Sequence, residues 1–184
     1  MKTQNQKNRN KQTMHYYILE HDINPGDKYV SWEADGNLER AMEGKPFPKT
    51  YYQGEFDTDF ISGHYGISAK AKDFFLSLNI PHLEFVPVTV HHIKWEESME
   101  IFLMKVNKEI DCVDYEQSDL FMLSDKKIRR VRKLVVKKDS INEDIFTIHN
   151  LLHSVTVSEA LKNKITEYGL KGFRFVPTNK YPIY

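Results

Sequence analysis

The sequence predicts an α+β fold: an antiparallel-rich sheet with a few packed helices and two pseudo-repeated strand-helix-strand units. Three observations predict it. Runs rich in aromatic and β-branched residues recur along the chain, as strands require. Two short helical faces begin at Ser68 and Ser158, ninety residues apart. Each face is followed by a strand with the same ending, LEFVP at 83–87 and GFRFVP at 172–177.

The chain has 184 residues, of which 40% are hydrophobic and 12% aromatic, enough for one core. Residues 1–13, MKTQNQKNRNKQT, hold no apolar residue after Met1 and read as a disordered, positively charged tail. Residues 14–184 read as a single α+β domain, or as two intimately packed halves of about 14–95 and 96–184.

Taken in order, HYYILE (15–20) reads as the first strand, and NPGDK turns the chain at Pro25-Gly26. YVSWEA (29–34) reads as the second strand. Residues 36–58 carry three Gly and two Pro and are expected to be mostly irregular loop. YGIS and VTVS then place a short strand directly before each helix. Ala71, Phe74, Phe75 and Leu78 form one helical face, and Leu161, Ile165 and Tyr168 form the other. Ser68 and Ser158 are suited to N-capping, because a hydroxyl oxygen accepts from an orphaned first-turn N–H. Asn79 and Gly169 sit where a helix closes with positive φ, and both residue types tolerate it. Ile80 and Leu170 can fold back on the last turn. Leu83 and Phe85, like Phe173 and Phe175, alternate as a half-buried strand, and Pro87 and Pro177 are expected to interrupt its hydrogen bonding.

LEFVPVTVHHIKW (83–95) alternates as a long strand, and MEIFLMKVNKEIDCVD (99–114) reads as a buried one. RKLVVKKDSINEDIFTI (132–148) reads as two strands around a turn at Asp139 to Asn142.

Composition excludes several classes of function. Lys plus Arg equals Asp plus Glu at 26 each, so net charge indicates neither a nucleic-acid nor a membrane partner. There is no signal-like apolar core and no apolar run of about 18 residues, so a cytoplasmic protein with no membrane association is expected. The lone Cys112 allows no intramolecular disulfide. It lies among carboxylates that raise a thiol's pKa, so it reads as structural. No phosphate loop, GxSxG elbow or EF-hand occurs. His149 and His153 are four apart, a metal-ligand spacing on a helix, but no HExxH surrounds them. His91 and His92 are adjacent, so on a strand one packs while the other meets solvent. No cofactor and no metal are expected.

Charge is nevertheless segregated. Residues 96–125 hold nine acidic and two basic residues, and Lys126 to Lys138 hold eight basic residues and no acid. The basic run either faces a phosphate backbone or pairs as a polar strand with the acidic stretch before it. No aromatic residues interleave to stack bases, which weighs against nucleic acid.

Beyond residue 100 the chain resembles a known family. FLMKVNKEIDCVDYEQSD resembles that family's middle segment, in which a strand leads to an Asp and, four residues on, a Ser, here Asp114 and Ser118. KLVVKKDSINEDIFTIHNLLHSVTVSEALKNKITEYGLKGFRFVP resembles its C-terminal signature, and HYYILE fits its usual start. The family is that of immunity proteins of bacterial polymorphic-toxin systems, matched mainly over residues 100–177. The resemblance implies a non-catalytic binder, encoded beside a toxin, that occludes the toxin's active site or substrate path. Its expected partner is a cognate protein toxin. Asp111, Glu116 and Asp119 are the expected toxin-binding residues, since exposed acid steers toward the basic cleft of a nuclease-like toxin. Asp114 and Ser118 have a second reading, as organisers of a turn. Two rival functions are a nucleic-acid binder using residues 126–138 and the tail, and a metal-dependent enzyme using the scattered histidines.

Overall fold

The computed structural model describes residues 15–32, 37–124, 127–152 and 154–181. The tail expected at 1–13, and with it His153, Asp125 and Lys126, lies outside the described residues. Thirteen strands and three α-helices are described. In chain order the first elements are β1 (Tyr16–His21), β2 (Tyr29–Ser31), α1 (Asn37–Met42), β3 (Tyr51–Gln53), β4 (Phe60–Ser62), β5 (Gly66–Ile67), α2 (Ala69–Ser77) and β6 (Leu83–His92). The remainder are β7 (Ser98–Val106), β8 (Glu109–Ile110), β9 (Asp119–Ser124), β10 (Lys127–Lys133), β11 (Ile145–Ile148), β12 (Val155–Ser158), α3 (Glu159–Glu167) and β13 (Phe173–Pro177).

These form a mixed α+β fold. One sheet has the order β13-β1-β12-β11-β8, a second β2-β3-β6-β7-β5-β4, and β9 and β10 form a two-stranded ribbon. Ladders are antiparallel except β3 with β6 and β8 with β11.

The two helices form for the reasons the sequence gives. Ser68 and Ser158 are extended, and each hydroxyl accepts from the N–H three residues on at 3.1 Å. Asn79 and Gly169 close the helices at φ 52° and 75°. Ala71, Phe74 and Phe75 from α2, with Leu161 and Ile165 from α3, are buried in a core shared by both sheets. Fully burying Phe75 or Ile165 contributes about 1.5–3 kcal/mol each.

The surroundings of the two helices correspond closely. Asp59 accepts from the Ser68 hydroxyl and Asp144 from the Ser158 hydroxyl. Each Ser N–H also donates to the same Asp's carbonyl at 2.9 Å. β7 lies between β5 and β6, and β1 lies between β12 and β13. Lys72 sits 4.1 Å over the Phe102 ring of β7, and Lys162 sits 4.3 Å over the Tyr17 ring of β1. Asn107 N–H donates to His82 O at 2.8 Å, and Asp22 N–H donates to Gly172 O at 2.9 Å. Across the ladders Glu84 pairs with Lys105, and Arg174 with Glu20.

Residues 36–58, where described, are mostly irregular, as expected, though they contain α1 and β3; two other local expectations are corrected. Leu38 and Met42 pack against the core that includes Tyr52 of β3, and this burial stabilises elements too short to show periodicity. β6 runs through Pro87, in register with Phe102. The only strand described on its other side, β3, pairs with just His91 and His92, so a proline there interrupts no second ladder. The two strands expected around Asp139–Asn142 are not a hairpin. β10 ends at Lys133, where Leu134 and Val136 turn into the core, and β11 pairs with β12 and β8.

Among the described residues no helix is long and apolar enough to cross a membrane.

Candidate binding site

The acidic segment leads from β8 to β9. Asp111, Glu116 and Asp119 are all exposed. Asp114 is half-buried, and its Oδ1 accepts from the N–H groups of Glu116 and Gln117, both at 3.2 Å. Ser118 Oγ accepts from Val135 N–H at 2.9 Å. Asp114 and Ser118 therefore organise the turn that carries the three exposed carboxylates. Asp119 opens β9 3.9 Å from Arg132, in a depression also lined by Arg129 and Arg130. The basic run thus forms a strand paired with the end of the acidic stretch.

The other candidates separate. Cys112 is fully buried, and burial first, then the charge of Asp111, pushes its thiol up to about 11. That shift favours the protonated thiol at neutral pH. His149 lies in a turn after β11, not on a helix, with Nδ1 3.0 Å from Glu109 Oε1. Among the described residues no group of three or more His, Cys, Asp or Glu is placed to hold a metal ion.

A crevice that the sequence did not disclose lies at the β2-β3 end of the six-stranded sheet. Its volume is about 480 Å³, and its walls come from the loops around Pro25, Gly54 and Trp95. Phe56, Ile93, Ile23 and Trp95 are 62%, 53%, 52% and 48% exposed around it, a clustering unusual for residues of this size. The two aromatic rings are held in place. The buried His92 accepts at Nδ1 from the N–H groups of Lys94 and Trp95, both at 3.1 Å. It also stacks on the indole at 4.0 Å and 8°. Tyr52 backs His92 edge-on at 5.0 Å. Across the crevice, Glu55 and Phe56 N–H groups donate to Gly26 O at 2.8 and 2.9 Å. The Phe56 ring rests where a Cβ on Gly26 would be, 2.6 Å away. A Cβ on Gly54 would lie 2.1 Å from the carbonyl oxygen of Asp27. The expectation for the histidine pair holds in part: His92 packs, while His91 is half-buried beside Tyr51.

Exposed, pre-positioned aromatic rings beside carboxylates are the kind of side chain enriched in protein interfaces. The family comparison agrees. The model of the immunity protein family (Imm11) matches residues 1–180, and the chain belongs to that family. Membership extends the resemblance seen beyond residue 100 to nearly the whole chain, and implies a toxin-neutralising immunity function with a toxin as partner. Comparison with curated proteins gives no match.

Proposed function

We propose that this protein neutralises one cognate bacterial toxin of a polymorphic-toxin system by stoichiometric, non-catalytic binding in the cytoplasm. The observation that carries this reading is the family match over residues 1–180. The exposed acid of Asp111, Glu116 and Asp119 supports it as a steering surface. Exposed carboxylates in water act at a distance set by ionic strength, and so influence how fast a basic partner arrives.

The test replaces Asp111, Glu116 and Asp119 together with lysine and measures association with the toxin encoded beside this chain. All three are exposed, so the melting temperature should stay near that of the wild type. The association rate should fall about tenfold at low salt, and the salt dependence should flatten. An unchanged association rate removes these residues from the contact.

We further propose that the scaffold is a duplicated unit, with β4-β5-α2-β6-β7 answered by β11-β12-α3-β13 and, from the other end of the chain, β1. The paired caps, the Asp59 and Asp144 bonds and the two lysine–ring contacts support it. An experimental structure whose two ladders fail to superpose in this register would refute it.

A further inference from the structure

We propose that the crevice beneath Phe56 and Trp95 is the anchor for the toxin, and that it receives an apolar side chain flanked by lysine or arginine on the toxin's surface. This inference rests on the toxin-binding reading and adds to it the place and chemistry of the contact.

Three features of the crevice converge. Two large aromatic side chains stay in water although each is fixed from behind, Trp95 by the His92 imidazole and Phe56 by the close approach of Gly26. Holding them costs ordering free energy in the unbound protein, and that ordering is not lost again when a partner arrives. Tryptophan is among the residues enriched at the hot spots that carry most of an interface's binding energy.

The rim is acidic. Asp27 and Glu55 line the crevice, and Glu96 and Glu97 line the groove that adjoins it at Trp95. Of the nearby cations, Lys28 is engaged by Asp57 at 2.7 Å, which leaves Lys94 in the crevice and Lys49 in the groove facing the four carboxylates. An apolar floor with carboxylates around it complements a cationic surface carrying an apolar tip. The same surface repels phosphate, so nucleic acid is a poor occupant.

Steering and anchoring then divide between two surfaces. The 111–119 carboxylates set the rate of arrival, and the crevice sets the rate of departure.

The experiment immobilises the catalytically inactivated domain of the adjacent toxin and measures dissociation of wild type, Trp95→Ala, Phe56→Glu and Ile93→Asp. Each variant should dissociate at least tenfold faster with little change in association, and Lys94→Glu should not weaken binding. The three positions lie on exposed loop surface, so loss of folding in one leaves two others to decide. If wild type binds and the folded variants dissociate at its rate, the crevice is not the anchor, while toxin binding stands. If wild type does not bind, both readings fall. Should the variants instead abolish a dimer of this chain in sedimentation, the occupant is a second copy and the proposal is overturned.

Discussion

Gly172→Val is expected to destabilise the fold by about 3 kcal/mol or more, the sum of a left-handed backbone and a close contact. Gly172 has φ 81°, a conformation β-branched residues resist. A Cβ there would lie 2.3 Å from Thr58 Oγ1 and 3.0 Å from Phe60 O, and the second of these is strand backbone that cannot swing away. The neighbouring Lys171 carbonyl accepts from both Asp59 and Phe60 N–H groups, so displacement of this turn also loosens β4. Gly169→Val is the control. Its φ is 75° but nothing lies within 4 Å, so only backbone strain remains and the cost is about 1 kcal/mol. Denaturant midpoints of the two variants against wild type measure the difference. Equal losses would show that the contact with β4 contributes nothing.

Asp59→Ala is expected to cost about 3–4 kcal/mol, as removal of a buried, multiply bonded carboxylate does. Asp59 is 7% exposed. Its side chain accepts from Ser68 Oγ at 2.7 Å and from Lys171 N–H at 2.9 Å, and lies 3.5 Å from Lys70 Nζ. One carboxylate thus fixes the cap of α2 and the turn that leads from α3 into β13. Truncation leaves the Lys171 N–H without its acceptor and the Ser68 hydroxyl without its support. Asp59→Asn should recover part of the loss, since its carbonyl oxygen still accepts one of these bonds. Equal melting of Asp59→Ala and wild type would contradict the role given to this residue.

The caps, faces and stops of α2 and α3 were legible because they depend on residues within a dozen positions of one another. Ser68, Ser158, Asn79 and Gly169 each act locally. The long strand β6 was legible from its alternation, although Pro87 was misread because the fate of a proline depends on which side its neighbours lie. Strand order was not legible. Nothing local in HYYILE says that β1 pairs with β12 and β13, more than 130 residues away.

The acidic segment could be read as exposed from composition alone. Its arginine neighbours could not, since they depend on the β9–β10 register. The crevice was the largest omission. Its walls come from three loops separated by about thirty to forty residues, and two of those loops fell in stretches read only as turn or irregular. The one signal available was a glycine in each of the first two loops, Gly26 and Gly54, where backbone and ring approach closely.

The most direct test of the central claim is a calorimetric titration of the purified chain into its adjacent toxin, with residual toxin activity followed in parallel. Stoichiometric neutralisation predicts a single transition at one chain per toxin, with toxin activity reaching its minimum at the same ratio. Loss of toxin activity at far below one chain per toxin, with the toxin chemically altered, would contradict it and reveal an enzyme.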